Sequence, residues 1–383
     1  MRLTPQFSKP TPLPVKALLC AAFTPSHTMR FPRRQPRRLL CLFSALLITF
    51  ATVLAHAQDY TSIVVFGDSL SDTGNFAHLT QVKYGLRIPG LDANYADGRF
   101  TDGHLTVPAA QKYFGVWIQQ LAAMLPSKPR IKNSLDGGTD YAYGDATNGR
   151  GTATITFGLP PESFSVQVSN IGRQITDYLA TYPRINDRTL FVVWGGANDV
   201  LGATSTDDVI KAVIDQAINI QRLVDAGATE FIIPNLPPLG LVPELNGSPT
   251  TSIPATTASV LYNQVLSEAL SILLDFNHGK HLQLFKLDVF ALFSQIVASP
   301  STYSLANISD SSQGIATIDP DTYLFWDTLH PTTRGHNILA IAAAGVIAAS
   351  ECWPHSVSSE SGLFGFDASS SAASAITAVA AGR

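Results

Sequence analysis

Four short stretches carry side chains whose types and spacing suit nucleophilic chemistry. Gly67-Asp68-Ser69-Leu70 places a hydroxyl directly after the apolar run Ser62–Gly67. Near the other end, Asp327-Thr328-Leu329-His330-Pro331 sets a carboxylate and an imidazole three residues apart. An imidazole can take the proton of a serine hydroxyl while a carboxylate orients the ring and stabilises the imidazolium. Between them lie Gly144-Asp145 and Gly196-Ala197-Asn198-Asp199. The Gly144 N–H, the Asn198 amide and the Ser69 N–H would make three donors for a tetrahedral oxyanion. Taken singly, each stretch reads better as a polar turn, a bend or a helix cap. The chemistry requires all four to meet.

The elements that must bring them together show as alternating patterns. Ser62–Gly67, Thr189–Trp194, Thr229–Pro234 and Leu282–Leu287 are short apolar runs expected to be buried strands, with Asp140–Gly144 a weaker one. Apolar residues recur at helical spacing from Val209 to Val224, with Thr206-Asp207-Asp208 as the expected cap and Gly227 as the stop. Further helices are expected over Thr256–His278 and 332–350. Apolar strands alternating with helices argue for a parallel sheet covered on both faces, with the ligand site beyond the carboxyl ends of the strands. Residues 76–110 and 235–257 are rich in Gly, Pro, Asn and Thr, follow strands, and are expected to wall that site.

The order Ser69, Gly144, Asn198, Asp327/His330 resembles the GDSL family of SGNH hydrolases, and the resemblance runs from Ile63 to about Ser350. Ser71-Asp72-Thr73-Gly74-Asn75, Gly98-Arg99-Phe100-Thr101-Asp102-Gly103 and Asn235-Leu236-Pro237-Pro238-Leu239-Gly240 resemble the longer esterase and lipase branch of that family. The resemblance implies a three-layer α/β/α fold around a five-stranded parallel, flavodoxin-like sheet. It also implies Ser69 as nucleophile, His330 as base, Asp327 as third triad member, and Ser69, Gly144 and Asn198 as oxyanion donors, with no cofactor. The implied activity is hydrolysis of carboxylic esters through an acyl-serine. The alternatives on the same scaffold are a phospholipid acyltransferase, a carbohydrate acetylesterase, or a secreted binding protein that has lost catalysis. One departure stands out: the second block usually carries paired glycines, and here Asp145 follows Gly144. Apolar residues in Leu236–Val242 suit an acyl chain, which favours a lipid or medium-chain ester and transient contact with a lipid interface.

Charge and composition narrow the remaining classes. Of 383 residues, 45% are hydrophobic and 14% charged, a globular composition. Residues 1–57 hold eight basic side chains and no acidic one, which leaves 17 basic against 29 acidic and a net of -12 beyond Ala57. Such a chain repels a phosphate backbone, so nucleic-acid binding is disfavoured. Arg30–Arg38 precede an apolar run from Leu39 to Ala55 and then Ala55-His56-Ala57, the three parts of a secretory signal with cleavage after Ala57. A secreted or periplasmic protein follows, with one domain over 58–353 and a Ser/Ala/Gly tail over 354–383. That mature chain keeps one thiol, Cys352, too few for a disulfide or a cysteine zinc site. The partner expected is a small-molecule or lipid ester.

Overall fold

The computed structural model describes residues 60–90, 93–103, 115–158, 163–185 and 188–352. Residues 1–57, expected to be a signal segment, and 354–383, expected to be a tail, lie outside the described residues. Two compact units divide the chain. The elements from Tyr60 to Ala344 belong to one, and of the other (Met1–Gln58 with Gly345–Glu360) the described part is the end of the last helix.

The chain runs through β1 (Ser62–Gly67), α1 (Asn75–Tyr84), α2 (Trp117–Met124), the antiparallel hairpin β2 (Thr152–Phe157) and β3 (Phe164–Ser169), then α3 (Ile171–Thr181). It continues through β4 (Thr189–Trp194), α4 (Ala197–Gly202), α5 (Thr206–Asp225), β5 (Glu230–Pro234), α6 (Pro243–Asn246) and α7 (Pro249–Phe276). Last come β6 (Gln283–Leu287), α8 (Val289–Ala298), β7 (Asn307–Ser311), β8 (Tyr323–Phe325) and α9 (Thr333–Cys352). Helix α5 is capped one residue before the expected Thr206: Ser205 and Asp208 form a reciprocal box that satisfies two end amides. Helix α7 begins well before Thr256, because Ser248 caps it and Pro249 fits the first turn, where no amide hydrogen is needed. Pro254 lies inside this helix, which is why the segment reads as a loop in sequence.

Strands β1, β4, β5 and β6 pair in that order, all parallel, with Val64 opposite Phe191, Phe191 opposite Phe231, and Phe231 opposite Leu284. The expected fifth strand is reduced to Thr139–Tyr143 on the free edge of β1. There Val65 N donates to Thr139 O at 3.0 Å, Tyr141 N to Val65 O at 2.8 Å and Tyr143 N to Gly67 O at 3.3 Å. Every residue of β4 and β5 is buried, as strands covered on both faces require. Val64, Phe66, Phe191, Val193, Phe231 and Ile233 pack with the apolar faces of α3, α5 and α7 in one core. Each such aromatic or aliphatic side chain contributes about 2 kcal/mol by leaving water. Ile63, Val65, Leu190, Val192 and Ile232 point to the opposite face, as the two-residue repeat of a strand dictates, and are equally buried. Helices α2, α8 and α9 supply further buried apolar side chains, and Phe76, Tyr143, Ala146, Val166 and Val168 form a second, smaller cluster.

Parallel pairing puts the carboxyl ends of Thr139–Tyr143, β1 and β4 at one edge. Gly144, Ser69 and Asn198 all follow those ends.

Candidate active site

Ser69 leaves β1 on a turn fastened from several directions. Gln174 of α3 grips the strand end, accepting from Gly67 N at 3.0 Å and donating to Gly67 O at 2.9 Å. Asp68 accepts from Leu70 N at 3.0 Å and braces the turn. Burial pushes the Asp68 carboxyl up to about 7, against the opposing pull of the Leu70 amide and the His330 ring. The next residues form a clamp. The Asp72 carboxylate accepts from the backbone amides of Gly74, Asn75 and Phe76, capping α1, and from Gly144 N at 2.9 Å. Asn75 donates to the carbonyls of Asp140 and Ala142, while Asp140 accepts from both Thr73 N and Thr73 Oγ1. The stretch Ser71–Asn75 thus ties the nucleophile turn to the segment that ends in Gly144.

The imidazole arrives on the turn between β8 and α9. Trp326 N donates to His330 O at 2.8 Å and closes that turn, and Asp327 Oδ1 accepts from Leu329 N at 2.8 Å and His330 N at 2.6 Å. His330 Nδ1 lies 2.7 Å from Asp327 Oδ2, and His330 Nε2 lies 2.9 Å from Ser69 Oγ across 261 positions of sequence. A carboxylate only accepts, so Nδ1 carries the proton and Nε2 is left with a lone pair facing the serine hydroxyl. Burial opposes a charged ring. The Asp327 charge and its hydrogen bond, followed by Asp68 and Asp145, outweigh that and raise the His330 pKa. Burial likewise opposes charge on Asp327, and the His330 ring and its backbone donors hold the carboxyl down at about 2.

The oxyanion donors sort differently from expectation. Ser69 N–H has no acceptor among the described residues. Asn198 sits at the start of α4 and gives one Nδ2 hydrogen to Ala146 O at 3.0 Å, which leaves its second hydrogen for a ligand. The turn before it is held from below by Tyr262, whose hydroxyl lies 3.1 Å from Gly195 O and donates to Gln216 Oε1. Gly196 has φ of 105°, and a Cβ there would lie 2.3 Å from the Tyr262 ring, so only glycine fits. Gly144 is the correction. Its amide is committed to Asp72 Oδ2, an acceptor strong enough to keep it. The next amide, of Asp145, has no acceptor among the described residues. Asp145 has φ of 62°, the left-handed conformation that favours glycine, which accounts for the glycine pair usual at this block.

With the relay and its donors placed, the chain can be set beside known proteins. Residues 63–343 match the GDSL-like Lipase/Acylhydrolase family. The chain belongs to that family. Among curated relatives, a protein of the trpE-trpG intergenic region of Pseudomonas putida is 28% identical over 80% of this chain and 52% of its own length. The Arabidopsis thaliana GDSL esterase/lipase At5g03610 is 25% identical over 72% of this chain and 83% of its own length. The thermolabile hemolysin of Vibrio parahaemolyticus is 26% identical over 73% and 62%. The chain therefore spans about half of the first of these relatives.

Within this GDSL-family chain, the Gly98–Gly103 stretch has a structural part that sequence does not state. Asp102 Oδ1 accepts from Thr333 N at 2.6 Å and Thr333 Oγ1 accepts from Gly103 N at 2.8 Å, so the stretch latches onto the first turn of α9. The Phe100 ring lies 4.9 Å from the His330 ring and fills the space beside Gly144, where a Cβ would come within 2.5 Å of it. Gly144 is needed for this close approach, not for a free amide. Tyr95, which sequence reasoning missed, donates to Asp327 Oδ2 at 2.8 Å. No spacing rule points to it, because 232 positions separate the pair.

Further polar side chains around the site have structural parts. Asp199 accepts from Asn148 N at 3.0 Å and braces a turn, its carboxyl pushed up to about 6 by burial. His336 is fully buried, accepts from Trp117 N at 3.2 Å and is pushed down to about 3 by burial and by the His330 charge, as a structural residue. His104 lies outside the described residues. Of the apolar residues of 236–242, expected to receive an acyl chain, all but the half-buried Leu241 are buried. Leu236, Leu239 and Val242 are buried, and Leu236 and Leu239 bond to Asn263 and Ser259 of α7.

Proposed function

We propose that this GDSL hydrolase is an exported serine esterase or lipase that cleaves carboxylic esters through an acyl-serine. One observation carries the reading: Ser69 Oγ, His330 and Asp327 stand in an unbroken relay of 2.9 and 2.7 Å. Ser69 Oγ attacks the ester carbonyl while its proton passes to His330 Nε2, and the carbonyl electron pair moves onto oxygen. That oxyanion is held by Ser69 N–H, the second Asn198 Nδ2 hydrogen and, in place of Gly144, the Asp145 N–H. Collapse expels the alcohol, which takes the proton from His330. Water then attacks the acyl-serine with His330 as base, and the acid leaves with Ser69 restored. Each step thus draws on these side chains, two backbone amides and water.

A fluorophosphonate probe tests the reaction directly. Labelling is expected in the wild-type protein and lost in Ser69→Ala, and a folded wild-type protein that never labels would move the reading to a binding protein. Rates on p-nitrophenyl esters of graded length set the substrate class: activity confined to acetate would exclude the lipase version and favour an acetylesterase. Export is supported by the basic, apolar and Ala-x-Ala order of residues 30–57. Expression of the full chain in a secreting host is expected to give a mature N-terminus at Gln58, and retention of residues 1–57 would overturn it.

A further inference from the structure

Tyr95 and His330 bond to the same atom. Asp327 Oδ2 accepts Tyr95 Oη–H at 2.8 Å and His330 Nδ1–H at 2.7 Å, while Oδ1 accepts two backbone amides. The loop that carries Tyr95 is tethered to the turn that carries Asp327. The Tyr95 ring packs edge-on against Trp326 at 6.0 Å, and Gln313 joins the two, donating through Nε2 to Ala93 O and through its amide to Trp326 O. Burial, followed by the Asp327 charge, raises the Tyr95 pKa, which keeps the hydroxyl a donor at any working pH.

We propose that Tyr95 is a positioning residue that shares Oδ2 with His330 and so tempers the basicity that Asp327 lends the ring. A carboxylate oxygen with two donors divides its negative charge between them, so each donor feels less of it. Removing the tyrosine hydroxyl leaves Oδ1 anchored by Leu329 N and His330 N, so the carboxylate stays in place while its full charge turns to the imidazole. The ring then keeps its proton to higher pH. The other groups facing His330 are Asp68 after β1, Asp145 after Thr139–Tyr143, the neutral His336 on α9 and the apolar Phe100. Tyr95→Phe changes none of them.

The role rests on the proposed reaction for its importance, yet a readout independent of turnover tests it. An NMR titration of the His330 ring in Tyr95→Phe, which keeps the packing on Trp326, is expected to show the midpoint moved to higher pH. The acid limb of kcat/KM on p-nitrophenyl acetate is expected to move the same way, with kcat on the plateau above it and KM nearly unchanged. A midpoint that stays or falls would overturn the role of Tyr95 while leaving wild-type ester cleavage standing. A wild-type protein with no esterase activity would overturn the reaction, and the NMR midpoint would still decide whether Tyr95 acts on the relay.

Discussion

The two ends of the relay reach the same point by different means. Ser69 follows β1, an interior strand of the sheet, bonded to β4 on one side and to Thr139–Tyr143 on the other. Its turn is held mainly by groups that are fully buried: Gln174, Asp72, Asn75 and Asp140. His330 follows β8, a three-residue strand that pairs with β7, bridges from Phe325 to Pro331 and lies outside the main sheet. Its side chain is 15% exposed and that of Asp327 12%, and contacts from Tyr95, Phe100 and the Asp102–Thr333 latch hold the region. The nucleophile end is therefore part of the core, and disturbing it disturbs folding. At the imidazole end the flanking Leu324, Phe325, Trp326 and Thr332 are buried, while the ring and its carboxylate are set by a few polar contacts, and disturbing those contacts changes chemistry first.

Removing either end outright makes the largest effect. Ser69→Ala and His330→Ala are each expected to lower kcat by about 10⁴-fold or more, and the double variant by little beyond either alone. Additive losses, measured on one p-nitrophenyl ester, would show that the two do not act as one relay. Asn198→Ala comes next, with kcat lowered by about a hundredfold or more and KM little changed, since one oxyanion donor is lost. Equal loss in both constants would assign Asn198 to ground-state binding.

A pair of variants sharpens the comparison itself. Asp72→Ala leaves four backbone amides without their buried acceptor and is expected to lower stability by about 3 kcal/mol or more in urea unfolding, with turnover falling as the Gly144 turn loosens. Asp102→Ala removes one cap from α9 and is expected to cost about 1 kcal/mol. Comparable losses would erase the distinction between a buried and a latched end. The smallest effect is a shift of a pH profile. His330 must be neutral to take the serine proton, so kcat/KM falls as pH drops through its raised pKa. Asp68 contributes to that raising, so Asp68→Asn is expected to move the acid limb to lower pH, and an upward move would contradict it.

What was legible in the sequence follows the same divide. The apolar runs of β1, β4, β5 and β6 are visible because burial on both faces demands unbroken hydrophobic stretches. The hairpin of β2 and β3 shows no such run, since alternate residues of β2 are exposed, and it was missed. Thr139–Tyr143 is faint because Thr73 and Asn75 set its place through polar bonds. Start signals were off by one residue at Ser205 and by seven at Pro249, where capping chemistry and a proline decide the first turn.

The residue types and their order along the chain marked Ser69, Asn198, Asp327 and His330, because hydroxyl, amide, carboxylate and imidazole are the groups an acyl transfer needs and each follows a recognisable turn. Folding alone decided which backbone hydrogen is free at the second block and which tyrosine meets the triad carboxylate. Those two outcomes depend on where the Asp72 carboxylate and the Tyr95 hydroxyl fall in three dimensions. Bonds between positions 72 and 232 residues apart leave no periodic trace in a linear chain.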